Sequence, residues 1–477
     1  MLLNSDRQVL YYKKDGKMTH KFSSGISESM QFLYEPRWGV SNRSVEKLDN
    51  FRVELNGYCA MLESQSYGDP GPYLSLETVE RIKEGVKKSK KSLRRLKEKD
   101  LPLFDCLLLQ DIERNIRILE AYYNYFYNPK NGVRIGRFLS TIFGRTAYSI
   151  LLNAVSRKNF PHRDLHRYSE LMHGLETMRM DAEVIFENMS NPLFEKLRAG
   201  FKAELEHARE FVNQFYSEKG VLKKIGDYHF EFAPRGWGFS FWDLGNLLAT
   251  VDPDRILCFR SREDGNYRFF NGFANLVGVH EISHGLEDIL SEKTMPQGLR
   301  PSTGTFINPV HGPVGEGIAL LMEHIAIDSM KKNGEKLGMS IEDIQRCIYF
   351  EKSYIPKKLI QVVHDILTIK EYEEETNEKF PKNFHIEAHK ALSQITQIPR
   401  YEFDYYLFED NEIAEPLNEL TYFFGQRRIK RLADKMKRKG IPENIMIHAL
   451  LSGFWCDSKA QEQFIFKLYL PEVMKNE

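Results

Sequence analysis

Cysteine is scarce and unpaired in this chain. The five present, Cys59, Cys106, Cys258, Cys347 and Cys456, are odd in number, widely scattered and never form a Cys-x-x-Cys. That argues against a disulfide framework and a cysteine-based zinc site, and it fits a reducing, cytoplasmic setting. No run of about 18 apolar residues occurs, so neither a transmembrane helix nor a membrane partner is expected. The opening residues, Met1 to Lys17, lack the apolar stretch of a secretory leader. Net charge is absent as well. The 67 basic residues balance 67 acidic ones, and no global field draws the chain to nucleic acid or lipid.

What the chain does have is aromatic content and helical periodicity. Aromatics make up 12 % of the sequence, which argues for packed structure over disorder. A length of 477 residues allows a large core or two to three subdomains. The apolar spacing predicts a helical hairpin from Leu76 to about Tyr127, broken near Asp100-Leu101-Pro102. It predicts further helices at Arg134 to Val155, Asp164 to Met189, and Pro192 to Glu218, the last opened by Asn191 as N-cap. Between Gly220 and Asn275 the character changes. Glycines and a cluster of aromatics (Trp237, Phe239, Phe241, Trp242) surround a strand candidate at Arg255 to Arg260. The basic runs at Lys87 to Lys99 and Gln426 to Lys439 read as solvated helix faces. Aromatics do not interleave with them as a nucleic-acid site would require. Arg427 and Arg428 are the exceptions weighed, because a guanidinium near an active site can clamp a substrate carboxylate.

Residues 280 to 284 read His-Glu-Ile-Ser-His. On a helix, positions i and i+4 share a face, so His280 and His284 can aim two imidazoles at one ion. Glu281 stands beside the first, where a carboxylate can act on a water at the ion. Hydrolytic zinc sites use three protein ligands and leave a position open. The best third ligand is Glu316, 32 residues beyond His284, opening a second apolar helix at Glu316 to Asp328. Glu323 lies two turns on from Glu316, and Ala319 between them leaves room for close helix approach. Glu323 and Asp288 are the carboxylates placed to hydrogen-bond a ligand histidine from behind. Histidine and carboxylate also hold cobalt or manganese. Zinc, one ion per chain, is the expectation.

These words resemble the gluzincin metallopeptidases. Glu316, Ala319 and Glu323 together resemble the thimet-oligopeptidase/oligoendopeptidase F group and the Taq-type carboxypeptidases. The segment EGIALLME, followed later by Tyr422, Gly425, Ile429 and Leu432, resembles a bacterial helical family with an EGWALYAE-type segment. That family spaces its histidines through an inserted Pro-Gly, where this chain has the plain five-residue form. The resemblance covers the last half of the chain. It implies a mainly α fold, a large helical metallopeptidase with a central cleft and a small strand element upstream of the zinc helix. Residues 1–220 would form one helical wall, and 221–477 the zinc-binding catalytic region. The strand's edge would pair with an extended substrate.

The implied activity is hydrolysis of peptide bonds in peptides or polypeptide ends, with Glu281 as general base and then acid. A further donor should stabilise the oxyanion. The resemblance points to Tyr422, with Tyr405 and Tyr406 in reserve. His311, in a Gly-Pro-rich loop five residues before Glu316, either serves the same site or is an ordinary loop histidine. Two other readings stay open. One is a helical binding or scaffold protein whose metal is structural or vestigial. The other is a zinc hydrolase of a non-peptide amide. Oligomeric state is not legible.

Overall fold

A computed structural model describes residues 13–14, 17–18, 45, 47–48, 76–126, 134–156, 158–173, 175–177, 192–221, 230–232, 240–243, 247–251, 258–261, 267–269, 272–294, 312–334, 338–376, 416–453 and 458–473. The chain is mainly helical. The expected hairpin is present as α1 (Leu76–Lys97) and α2 (Leu103–Phe126), parted at the Asp100-Leu101-Pro102 break. Pro102 has no N–H to continue a helix, and its ring restrains the residue before it.

The single helix expected over 134–155 is instead two, α3 (Ile135–Phe143) and α4 (Ala147–Ala154). Gly144 parts them with a φ of 107°, a conformation that only glycine adopts easily. The end of α3 is secured from outside. Arg114 donates to the Thr141 carbonyl at 2.5 Å and also to that of Ile142, and Arg428 donates to Phe143 at 2.7 Å. At its other end the Ile135 N–H donates to the buried Glu373 carboxylate at 3.0 Å. Acid at the N-terminus and base at the C-terminus both suit the helix dipole. The expected helix over 164–189 is shorter. It runs as α5 (His162–Met172), and Leu175–Thr177 is already extended. The following helix is α6 (Pro192–Glu218), with the boundaries expected, while Asn191 lies outside the described residues.

Short backbone pairings follow. Ser240–Asp243 runs antiparallel to Leu247–Val251, which runs parallel to Phe230–Phe232. Cys258–Ser261 pairs antiparallel with both Tyr267–Phe269 and Leu175–Thr177. Then come α7 (Phe273–Thr294), α8 (Gly312–Asn333), and the long α9 (Ile341–Thr376), with Pro356 inside it. The chain closes with α10 (Pro416–Arg438), α11 (Glu443–Leu451), α12 (Ser458–Phe464), a π turn at Ile465–Tyr469, and α13 (Leu470–Val473).

Two apolar cores organise these helices. One joins α1, α2, α6, α7 and α8 with the end of α10 and the C-terminal helices, through Leu107, Phe215, Ile282, Met322, Met436 and Phe464 among others. The other joins α3, α4, α5, the second half of α9 and the start of α10, through Phe138, Val362 and Phe424. Helices α7 and α8 are apolar on most of their circumference, as helices inside a large core must be. Their few buried polar residues therefore stand out.

The long basic run behaves as a solvated face. Lys87, Lys88, Lys91, Arg94 and Arg95 of α1 are exposed, while Lys97 pairs with Glu113 of α2 at 2.5 Å.

His448 of α11 is buried, and its Nε2 lies 3.3 Å from the Gly220 carbonyl, which fixes that nitrogen as the N–H donor. Burial pulls its pKa from the ordinary 6.5 down to about 4, against the smaller pull of that hydrogen bond. The unfolded chain takes up a proton below pH 6.5 while the folded chain waits until about pH 4. Stability is therefore present above the unfolded value and lost as pH falls through this window, by about 2 kcal/mol at about pH 5. Urea titrations of wild type and His448→Phe at about pH 7.5 and pH 5 should show a smaller loss in the variant. Equal losses would remove His448 as the source.

Candidate metal centre

Helices α7 and α8 bring His280, His284 and Glu316 together. One ligand atom from each lies within 4.8 Å of the other two, and all three side chains are buried. The His280 and His284 ring centroids are 5.0 Å apart, with the planes 77° to one another. Both rings turn Nε2 towards one carboxylate oxygen. Glu316 Oε2 is 3.1 Å from His280 Nε2 and 3.5 Å from His284 Nε2. Behind His280, its Nδ1 meets Glu323 Oε1 at 2.6 Å, as the sequence suggests.

The electrostatics are those of a site built around positive charge. Burial works against a proton on His280, but the hydrogen bonds to Glu316 and Glu323 outweigh it and hold its pKa well above the ordinary value. Burial would raise Glu316, yet attraction to His284 and the hydrogen bond to His280 hold it well below the usual carboxylate range. Burial lifts Glu323, so the proton between Glu323 and His280 is held by the pair.

Two of the three donor spacings suit a tetrahedral ion. Donors at bond lengths of about 2.0–2.2 Å around one zinc lie roughly 3.4 Å apart. The two Nε2-to-Oε2 distances, 3.1 and 3.5 Å, bracket that spacing. Two imidazoles and one carboxylate are also the ligand types of open, hydrolytic zinc sites. Glu281, next to His280 on α7, is partly exposed, whereas His280 and His284 are buried.

The backbone beneath the site is held from α6. The Tyr216 hydroxyl and Ser283 Oγ both donate to the Val279 carbonyl, at 2.8 and 2.7 Å. Val279 immediately precedes His280, and Ser283 immediately precedes His284. The fully buried phenol thus fixes the turn that carries both rings, and burial pushes its pKa up.

Tyr422 comes to the site from α10. Its partly buried ring lies 6.3 Å from that of His280, centroid to centroid, and packs on the second core. What brings it there is a glycine crossing. A methyl group added at Gly317 would lie 2.5 Å from the carbonyl carbon and oxygen of Gly425. One added at Gly425 would lie 2.3 Å from the Pro313 carbonyl oxygen. Helices α8 and α10 therefore touch backbone to backbone, one residue beyond Glu316. A close approach of these two helices is made at Gly317. The available signal was the pair Gly315 and Gly317 within a helix, each unfavourable by about 1 kcal/mol relative to alanine unless packing requires it.

The remaining sequence expectations fare unevenly. The Arg428 guanidinium donates to the Phe143 carbonyl at the end of α3, at 2.7 Å. Arg427 stacks over the Phe423 ring at 5.6 Å. His311, Tyr405, Tyr406 and the side chain of Asp288 lie outside the described residues. Cys258–Ser261 overlaps the strand expected at 255–260, and residues 255–257 lie outside the described set. A buried carboxylate that the sequence reading missed, Glu287, lies on α7 one turn past His284.

No family model matches the chain, and no curated protein matches it either. Solved structures do. A protein described as a lipoprotein of unknown function from Shewanella oneidensis is similar at 13% identity and a TM-score of 0.40, over 82% of this chain and 73% of that one. The apo-Mg carboxypeptidase of Pyrococcus furiosus is similar at 14% identity and a TM-score of 0.35, over 90% of this chain and 99% of that one. A protein described as a lipoprotein from Colwellia psychrerythraea is similar at 11% identity and a TM-score of 0.35, over 96% and 82%. These likenesses are loose. Among the described residues, no helix is long and apolar enough to cross a membrane.

Proposed function

We propose that this chain is a gluzincin-type zinc metallopeptidase that hydrolyses peptide bonds in peptides or polypeptide ends. The observation that carries the reading is the buried trio of His280, His284 and Glu316 within 4.8 Å, with Glu281 adjoining it on the same helix. A zinc ion held by the trio supplies Lewis acidity, polarising a scissile carbonyl and easing the deprotonation of water near neutral pH.

The protein's own part is to position groups and move protons. Glu323 holds the His280 ring by its Nδ1 and so keeps Nε2 turned to the centre. The Glu281 carboxylate takes the proton of the attacking water and passes it to the leaving amine. The Tyr422 hydroxyl is the donor assigned to the developing oxyanion, an interaction typically worth about 3 kcal/mol. The substrate lies in a cleft between the helical N-terminal wall, 1–220, and the catalytic region, 221–477. Such a cleft admits extended peptides and excludes folded proteins.

The test is incubation of the purified chain with a mixed peptide library, read by mass spectrometry for new termini. Cleavage that stops on chelation and returns with zinc supports the reading. No cleavage of any peptide by the zinc-loaded chain would favour a structural metal site in a binding protein. Cleavage that persists through chelation would remove the metal from the mechanism.

A further inference from the structure

The two imidazoles of the trio are placed alike. Each presents Nε2 to Glu316 Oε2, so each has Nδ1 on its far side. For His280 that nitrogen meets Glu323. For His284 the surroundings are marked by Gly315. A methyl group added there would come 3.3 Å from Glu287 Oε2 and 3.8 Å from His284 Nδ1. The carboxylate of Glu287 and the Nδ1 of His284 thus flank the same glycine. Glu287 is three residues after His284, on the same face of α7. It is only 6% exposed, and a carboxylate this deep is costly without a donor.

We propose that Glu287 is a positioning residue of the metal centre, accepting the Nδ1–H of His284 as Glu323 accepts that of His280. This rests on the metal reading above. Each ligand ring would then be fixed in the tautomer that leaves Nε2 free for the ion, His280 by a carboxylate of α8 and His284 by one of its own helix, α7. Gly315 leaves the space that the second of these contacts needs. The assignment departs from the helical wheel alone, on which Asp288, four residues after His284, is the apparent candidate.

The experiment is zinc affinity by competition with a chromophoric chelator, for wild type, Glu287→Leu, Glu287→Gln and His284→Ala. Alongside it, proton NMR of the zinc-loaded forms reads the downfield Nδ1–H resonances of the histidine ligands. Glu287→Leu should bind zinc about ten- to a hundredfold more weakly. It should shift one downfield resonance while leaving the other in place. Glu287→Gln keeps an acceptor oxygen without the charge, so it should fall between wild type and Leu and serves if the Leu variant fails to fold. Wild-type affinity with unchanged resonances in both variants would overturn the assignment while leaving the metal site standing. A wild-type chain that binds no zinc, or a His284→Ala chain that binds it equally well, would overturn the metal reading and the assignment together.

Discussion

Glu281→Gln will lose hydrolysis by about a thousandfold while keeping its zinc and its fold. Gln matches Glu in shape, so α7 should be unchanged, and Glu281 is not among the trio that would hold the ion. What the substitution removes is a base. A neutral amide cannot take the proton of the attacking water, and a positioned proton acceptor contributes roughly 10²–10⁴ in rate. The effect should appear in kcat with little change in KM, because the lost interaction belongs to the transition state. The measurement is steady-state hydrolysis of whichever peptide the library screen identifies, with zinc content determined on the same samples. A Glu281→Gln enzyme with full activity would refute the mechanism. One that had lost its zinc would make Glu281 a structural residue instead.

The second large effect is expected at the helix crossing. Gly317→Ala places a methyl group 2.5 Å from backbone atoms of Gly425 and 2.7 Å from Ile429 Cγ1. Backbone cannot rotate away as a side chain can, so α8 and α10 must separate. Overpacking of this kind is unfavourable by about 3 kcal/mol, and the gain in helix propensity returns only about 1. The net loss, about 2 kcal/mol, should come with weaker zinc binding, because the neighbouring residue is Glu316. Gly425→Ala should behave alike, since its methyl group would meet the Pro313 carbonyl oxygen at 2.3 Å. Thermal unfolding and zinc titration of the two variants check this. If Gly317→Ala were more stable than wild type, as helix propensity alone implies, the helices would not touch where the structure has them.

Much of the candidate metal site is legible in the sequence because one helix carries most of it. A spacing of four fixes His280 and His284 on one face, whatever the rest of the chain does. Glu316 and Glu323 are readable for the same reason, being two turns apart on an apolar helix. Local punctuation likewise marks the α1–α2 break, where Pro102 cannot continue a helix. Three features escape such reasoning. The Gly317–Gly425 contact joins segments about a hundred residues apart, and nothing local to either states the pairing. The choice between Glu287 and Asp288 depends on how α7 is rotated against Gly315, which is a matter of packing. The break at Gly144 interrupts an apolar pattern that runs on through it, and only the φ of 107° shows that the chain turns there.

The central claim is that His280, His284 and Glu316 hold one zinc ion. Elemental analysis of the purified chain after zinc supply and exhaustive dialysis tests it most directly, with His284→Ala treated in parallel. The account predicts about one zinc per chain in the wild type and its loss in the variant. No zinc in the wild type, or equal zinc in both, would contradict it.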